Sequence, residues 1–234
     1  MHKGRGGSDG IISPADTNPP AHPVPRATDG EPLALGVLIS GSGTNLQAIL
    51  DACADGSLNA RVAVVISNVV DAYGLTRARN AGVPAAYVDR LAYMDISEYN
   101  HAIREELEDH GVQLVVMAGY MRLLGKEVLH AYPNAVVNLH PALLPSFVGA
   151  HAIQDAFDYG AKVTGVTVHF ADEEFDRGPI IAQEPVSIEP DDTVETLESK
   201  IHAVEHAIYP RAIGLIADGR VEIVGRTVRV TPEL

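Results

Sequence analysis

Short apolar runs alternate along the chain with segments whose apolar residues recur every three or four positions. The run LALGVLIS at 33–40 is followed by GSGTN and then by LQAILDACADG, whose spacing predicts a helix. Continuous apolar strands that alternate with helices are typical of a parallel sheet covered on both faces. We therefore predict an α/β fold with an open, mostly parallel, Rossmann-like sheet and helices on both faces. Further strands are predicted at 62–67, 85–88, 112–118 and 135–139, with helices at about 95–110 and 125–132.

The second half of the chain has a different pattern. Residues 165–171 alternate between apolar and polar positions, and 179–188 follow after a short loop, which predicts antiparallel partners that extend the sheet. A helix is predicted over about 193–217, and two short strand-like runs follow it. Residues 1–32 are rich in Gly and Pro and have almost no periodic apolar pattern, so we expect a disordered extension there and one folded domain over 33–234.

Charge and cysteine content exclude several classes of protein. The chain of 234 residues has 17 Lys and Arg against 31 Asp and Glu, a net charge of −14, and no basic run, so nucleic-acid binding is disfavoured. Its one cysteine, Cys53, cannot form an internal disulfide or a cysteine-rich zinc site, and its helical spacing with Leu46 and Ile49 predicts a buried core thiol. No apolar run approaches the roughly 20 residues of a membrane span. We expect a cytoplasmic protein that uses no metal.

The segment GSGTN follows the first predicted strand and opens a helix, where backbone N–H groups favour an anion. A dinucleotide fingerprint would need a small residue in place of Leu46 and an acidic residue at the end of the second strand, where Ser67 and Asn68 stand. We therefore interpret the segment as a loop for a single phosphate. A glycine-rich turn without a ligand is the alternative.

A second polar segment, NLHPALLP, follows the apolar run at 135–137. Side chains alternate along an extended chain, so Asn138 and His140 point the same way while Leu139 turns into the core. By strand order, the segments AGYMRLL and HFADEEFDRGPII can reach the same cleft, and the second can supply a carboxylate. Asn, His and Asp without a Ser or Cys nucleophile fit a reaction with a stabilised oxyanion and direct attack by the substrate. Acyl transfer to an amine is such a reaction.

Five segments occur in an order that resembles one enzyme family. LISGSGTNLQAILDA, GYMRLL, NLHPALLPSFVGAHA, VTVHFADEEFDRGPII and EHAIYPRAI are similar to the phosphoribosylglycinamide formyltransferases over roughly 36–217. The resemblance implies the formyltransferase fold and transfer of the formyl group of 10-formyltetrahydrofolate, a co-substrate, to the amine of glycinamide ribonucleotide in purine synthesis. It also implies a catalytic set of Asn138, His140 and Asp176. Asn138 and protonated His140 would stabilise the developing oxyanion, and Asp176 would hold His140.

The resemblance further implies which residues bind the two substrates. Many relatives carry an arginine that helps to hold folate where this chain has Ile96, so that contact is not carried over. For glycinamide ribonucleotide the residues are Gly43, Thr44, Asn45, His202 and Glu205, and for folate they are Met121, Arg122, Leu123, Leu124, Asn138, Asp172, Glu173, Glu174, Phe175 and Asp176.

Three other functions have their own signatures. Methionyl-tRNA formyltransferases carry a further β-barrel domain and face tRNA, which the short segment after the last predicted helix and the acidic charge disfavour. Formyltetrahydrofolate deformylases carry an N-terminal regulatory domain, which residues 1–32 are not expected to form. A nucleotide-binding module without catalysis would bind its ligand at GSGTN and leave His140 dispensable. We expect small-molecule substrates as the partners and no membrane association, and we leave a homodimer open.

Overall fold

The computed structural model describes residues 22–28, 30–174 and 176–232, which contain a nine-stranded sheet and six α-helices. The predicted alternation of strands and helices is confirmed. The strands are β1 Leu33–Ile39, β2 Ala60–Ser67, β3 Ala85–Tyr87, β4 Leu114–Met117, β5 Val136–His140, β6 Val163–Phe170, β7 Ile180–Ser187, β8 Val221–Val224 and β9 Thr227–Val230. The helices are α1 Thr44–Ala54, α2 Tyr73–Asn80, α3 Ile96–Asp109, α4 Lys126–Leu129, α5 Ala152–Tyr159 and α6 Val194–Ala217, with a 3₁₀ turn at Arg90–Ala92.

The order of strands across the sheet is β3-β2-β1-β4-β5-β6-β7-β9-β8. Strands β1 to β5 pair in parallel, whereas β6 is antiparallel to both β5 and β7, as the change of pattern predicts. The last hairpin pairs β9 in parallel with β7. The sheet is therefore mostly parallel in its first half and mixed in its second.

Helices cover both faces of the sheet, and β1 shows how. A side chain added at Gly36 would collide with Leu107 of α3, so this side of the strand packs closely on α3. Ile39 points to the opposite face, because it is an odd number of residues from Gly36, and its side chain lies against Gly74 of α2. All seven residues of β1 are buried, as a strand covered on both faces requires.

Two local features differ from the prediction. Helix α5 was not expected, although Ala152, Ile153, Ala156 and Phe157 have the spacing of an amphipathic helix; it has only eight residues, of which Ala152 and Ala156 are buried. Cys53 is half-buried and packs against the edge of the core, so the prediction of a buried thiol is too strong. Burial nevertheless raises the pKa of Cys53 to about 11.

The residues before β1 form a strap across the folded domain. Val24 and Ala27 pack against the core, and the Ala27 N–H donates to the carbonyl of Ala217, the last residue of α6, at 2.9 Å. The side chain of Asn134 donates to the carbonyl of His22 at 2.7 Å. The predicted boundary at 33 is therefore too late for residues 22–28 and 30–32, whereas the predicted disorder of 1–21 and Asp29 lies outside the described residues.

Candidate active site

A cleft opens at the carboxyl ends of the strands, above the gap between β1 and β4. Strand order reverses at this gap, and ligands of open α/β sheets bind at such a point. The cavity has a volume of about 570 Å³ and is lined by the loops after β1, β4 and β5 and by one face of α6. It brings together these predicted site residues: Gly43, Thr44, Asn45, Met121, Arg122, Leu123, Asn138, His140, Asp176, His202 and Glu205.

The loop after β1 presents backbone N–H groups. Gly43 has a φ of 70° and a ψ of 35°, in the left-handed region that favours glycine, and α1 begins at the next residue. The first N–H groups of a helix have no intrahelical acceptor, and no described residue accepts a hydrogen bond from the N–H of Gly43, Thr44 or Asn45. Free donors at the positive end of a helix dipole favour an anion, so this geometry fits a phosphate loop.

Glu205 and Asn45 form a buried pair next to that loop. Asn45 Nδ2 donates to Glu205 Oε2 at 2.9 Å, and Glu205 is only 5% exposed. Burial raises the pKa of Glu205, although the hydrogen bond from Asn45 and the nearby His202 act in the opposite direction. The side-chain oxygen of Asn45 is buried and has no hydrogen-bond partner among the described residues. Both side chains line the cleft, so a hydroxyl group of a substrate can satisfy them.

Two histidines stand on the same stretch of α6. The rings of His202 and His206 are stacked, with centroids 6.4 Å apart and planes inclined by 14°. His202 lines the cleft. Burial, followed by the neighbouring His202 and then Arg77, lowers the pKa of His206, so its ring is neutral near pH 7.

His140 is held from both sides of its ring. Its Nε2 lies 2.8 Å from the carbonyl oxygen of Phe147, which can only accept, so Nε2 carries a proton and donates. Its Nδ1 therefore faces Asp176, with Oδ2 at 3.5 Å, and both side chains are almost fully buried. Phe147 has a φ of 50°, a strained value for a bulky residue, and strain of this kind clusters at functional sites.

The carboxylate of Asp176 is fixed by the same loop that holds His140. The Gly149 N–H donates to Asp176 Oδ2 at 3.1 Å, and Asp176 itself has a φ of 53°. Asp176 Oδ1 lies 3.7 Å from His169 Nε2. One buried carboxylate thus stands between two imidazole rings, and the predicted grouping of Asn138, His140 and Asp176 is present in space.

His169 is a site residue that the sequence interpretation missed. It lies opposite Asn138 in the antiparallel register of β5 and β6. Its Nδ1 donates to the Phe170 carbonyl at 2.9 Å, which leaves Nε2 as the acceptor for Asn138 Nδ2 at 3.3 Å. Burial is the largest effect on His169 and lowers its pKa, so the neutral ring that this bonding needs is also the favoured one. His169 therefore orients the amide of Asn138.

A smaller cavity of about 100 Å³ adjoins the cleft behind Asn138. Of the residues predicted to bind folate, Arg122, Leu123, Leu124, Asn138, Asp172, Glu173, Glu174 and Asp176 line it, whereas Phe175 lies outside the described residues. Leu124 is buried and Leu123 is exposed, so the cavity has an apolar wall and a solvent-facing rim. Met121 is exposed at the mouth of the larger cleft. Ile96 is half exposed at the start of α3 and lines neither cavity.

The described residues lack two other kinds of feature. Within them, no three or more His, Cys, Asp or Glu side chains are arranged to hold a metal ion. No helix in the same part of the chain is long and apolar enough to cross a membrane.

Comparison with known proteins gives a consistent result. Residues 34–213 match the family model described as formyl transferase. The chain is 41% identical over 189 residues to the phosphoribosylglycinamide formyltransferase of Haemophilus influenzae, an alignment that covers 81% of this chain and 89% of that protein. It is also 41% identical over 187 residues to the trifunctional purine biosynthetic protein adenosine-3 of Bos taurus, covering 80% of this chain but only 18% of that longer protein.

Among solved structures, the fold is similar to that of glycinamide ribonucleotide transformylase 1 from Symbiobacterium toebii. The TM-score is 0.85 and the sequence identity is 52%, over 87% of this chain and 96% of that one. The family model covers most of the chain, and the relatives align along nearly the whole described region. This chain belongs to the formyl transferase family.

Proposed function

We propose that the protein transfers the formyl group of 10-formyltetrahydrofolate to the amine of glycinamide ribonucleotide, a step of purine biosynthesis. The observation that carries the proposal is the placement of Asn138, His140 and Asp176 in one cleft with the free N–H groups of the loop after β1. A phosphate held at that loop would anchor the ribonucleotide, and its amine would extend towards Asn138. The names of the relatives reported above support glycinamide ribonucleotide as the acceptor and formyl as the group transferred.

The smaller cavity suits the pterin end of the folate. It combines the apolar side chains of Leu123 and Leu124 with the polar loop at 172–174, and Asn138 and Asp176 stand where it meets the larger cleft. A flat heterocycle that is apolar on its faces and polar at its edges fits such surroundings. Folate in this cavity would place its formyl group beside Asn138 and His140.

The reaction proceeds by direct attack in this proposal. The amine nitrogen forms a bond to the formyl carbon, and negative charge develops on the formyl oxygen. The Asn138 amide has two N–H groups, of which one donates to His169, so the other is available for that oxygen. Protonated His140 donates from Nδ1, because Nε2 is already bonded to the Phe147 carbonyl.

Asp176 and His140 also account for the protons. The carboxylate lies 3.5 Å from His140 Nδ1, longer than a good hydrogen bond, so its negative charge faces the ring without occupying the Nδ1 proton tightly. When the tetrahedral intermediate collapses, the bond to the folate nitrogen breaks and that nitrogen takes a proton from His140, directly or through water. The amine loses its own proton to Asp176 or to water near it. Each donor therefore acts where charge changes in the transition state.

A deformylase is the second candidate, because the same donors would stabilise attack by water. Incubation with 10-formyltetrahydrofolate, with and without glycinamide ribonucleotide, separates the two when tetrahydrofolate is measured. Formation that requires the amine, with formylated ribonucleotide in equal amount, supports the transferase. Equal formation without the amine means a hydrolase, and no turnover with retained binding means a nucleotide-binding module. The cytoplasmic location remains a prediction, and the sequence leaves a homodimer open.

A further inference from the structure

Helix α2 binds the loop after β1 on the side opposite the cleft. The Gly74 N–H, in the first turn of α2, donates to the carbonyl of Gly41 at 3.1 Å. Three residues further on, Arg77 Nε donates to the carbonyl of Ser42 at 2.8 Å. Two successive loop carbonyls are therefore turned towards α2 and away from the cleft.

The backbones of the loop and of α2 touch at two glycines. A side-chain carbon added to Gly43 would lie 2.7 Å from the Cα of Gly74, and one added to Gly74 would collide with Ile39 and come within 3.3 Å of the Cα of Gly43. Contacts this short leave no room for a side chain on either residue. The loop thus rests directly on the helix, and a small movement of α2 would move the loop.

Arg77 joins this contact to the rest of the site. Its Nη1 donates to Gln47 Oε1 of α1 at 3.0 Å, and its guanidinium carbon lies 4.9 Å from the centre of the Tyr73 ring. The same side chain therefore binds the loop at Ser42 and the first turns of α1, which are the two segments that carry the free N–H groups. A planar guanidinium makes the two bonds from two different nitrogens held in a fixed geometry, which the single nitrogen of a lysine does not reproduce.

The charge of Arg77 also reaches α6. It contributes to the lowered pKa of His206 on α6, after burial and His202. The guanidinium thus lies behind the loop while its field extends as far as His206 on α6. A positive charge in this place adds to that of the helix N-terminus.

We infer that Arg77 is a positioning residue for the phosphate of the amine substrate: it holds the loop so that the N–H groups of Gly43, Thr44 and Asn45 converge on the anion. The inference rests on the proposed function, because it takes the phosphate to bind at this loop. Arg77 itself makes its bonds on the far side of the loop and does not line the cleft among the described residues. Its effect should therefore be on binding of the phosphorylated substrate and not on the chemical step.

Three variants of the full chain test this. Arg77→Ala removes both bonds and the charge. Arg77→Lys keeps the charge but replaces the two donor nitrogens of the planar guanidinium with one ammonium nitrogen. Arg79→Ala removes an exposed charge from the same helix as a control. We expect Arg77→Ala to raise the KM for glycinamide ribonucleotide by about 10- to 100-fold, the loss typical of hydrogen bonds made by a charged group. The kcat at saturating substrate and the KM for 10-formyltetrahydrofolate should stay within about twofold. Arg79→Ala should leave all three constants unchanged.

The inhibition constant of inorganic phosphate distinguishes the positioning role from a general loss of stability, which would leave this constant unchanged. In the wild-type enzyme phosphate should compete with glycinamide ribonucleotide and not with folate, and failure of that competition would count against the proposed function itself. If competition is seen, the inhibition constant should rise in Arg77→Ala in parallel with the KM, and only partly in Arg77→Lys. Full recovery by lysine, or a fall in kcat with an unchanged KM, would overturn the positioning role.

Gln47→Ala covers the case in which Arg77→Ala does not fold. It removes the bond from Arg77 to α1 while leaving α2 and the loop sequence intact. We expect a smaller rise in the KM for glycinamide ribonucleotide, of about threefold to tenfold, with the folate constant unchanged. An unchanged KM in this folded variant would contradict the inference.

Discussion

The two ends of the cleft are built in opposite ways. At the loop after β1, the groups that face the cleft are backbone N–H donors that no described residue satisfies, and the side chains that support them, such as Arg77, lie behind. At the end of β5, the groups that face the cleft are side chains, and each already has a protein partner: His140 with Phe147 and Asp176, and Asn138 with His169. The loop end presents backbone donors whose protonation does not change. The β5 end presents side chains whose orientation and tautomer are set by their protein partners.

This difference has a chemical reason. A phosphate keeps its charge through the reaction, so it can be held by donors that never change their protonation, and backbone amides meet that need. The formyl oxygen gains and loses negative charge and the two nitrogens exchange protons, so the groups around the formyl carbon must include a titratable side chain held in one tautomer. Substitutions at the loop end should therefore change binding of one substrate, whereas substitutions at the β5 end should change turnover.

Removal of the reacting side chains should give the largest effect. His140→Ala and Asn138→Ala each delete a donor to the developing oxyanion, and such groups are typically worth about 10²–10⁴-fold in turnover. Neither side chain fills the main apolar core, so we expect both variants to fold, as the thermal unfolding temperature will show. The KM for glycinamide ribonucleotide should change little. Near-normal kcat in either variant would remove that residue from the mechanism.

Removal of the Asp176 charge should have the next largest effect on turnover. Asp176→Asn keeps the size of the side chain and removes the charge that faces His140 Nδ1, so the positive charge on His140 in the transition state loses its counter-charge. We expect kcat to fall by about 10²-fold or more. Asp172→Asn on the same loop is the matched control, because Asp172 is exposed and its carboxylate accepts from the Glu174 N–H. Equal and small effects of the two substitutions would make Asp176 part of a solvated acidic loop only.

Variants of His169 test whether this ring orients the amide of Asn138 and whether it is neutral. His169→Leu removes the acceptor for Asn138 Nδ2, so kcat should fall by about tenfold, whereas His169→Gln can still accept and should keep most of the activity. The lowered pKa of His169 means that the unfolded chain binds a proton more readily than the folded one. Stability is therefore present above the ordinary histidine pKa and is lost as the pH falls below it. Urea unfolding from pH 7 to 5 should show a smaller loss for His169→Gln than for the wild type, and identical losses would contradict the neutral ring.

The sequence predicts where Asn138 and His140 lie, but it does not predict the residues behind them or behind the loop after β1. Asn138 and His140 follow from alternation along one strand, which is a local property. Asp176 needed the resemblance to a family, because the sequence alone offered four acidic residues on one loop. His169 depends on the register between β5 and β6, and Arg77 on the contact of α2 with the loop. Both are long-range properties that no local pattern records.

Glu205 tests the loop end with a smaller effect. Glu205→Gln keeps the oxygen that accepts from Asn45 and removes the buried charge, so the KM for glycinamide ribonucleotide should rise by about tenfold at most. The pKa of Glu205 is raised in the folded protein, so the folded chain binds a proton more readily than the unfolded chain. Stability is then greatest below the ordinary glutamate pKa and falls as the pH rises through the folded value. Between pH 5 and 8 the free energy of unfolding should fall less in the variant than in the wild type, as calorimetry will show. Equal falls in the two proteins would mean that burial does not destabilise the charge of Glu205.

The N-terminal strap lies away from both ends, and its loss should cost stability alone. Its apolar pattern is too sparse to predict, because Val24 and Ala27 are half-buried and the strap is held largely by backbone bonds. Ala27→Pro removes the N–H that donates to Ala217, which should cost about 1 kcal/mol and lower the melting temperature by roughly 2–4 °C. Ala27→Ser keeps the N–H and the small size, so it should melt close to the wild type. Both variants should retain kcat and both KM values, because none of these atoms lines the cleft within the described residues. A change in the KM for glycinamide ribonucleotide would instead mean that α6 transmits the position of the strap to Glu205. The strap would then affect substrate binding as well as stability.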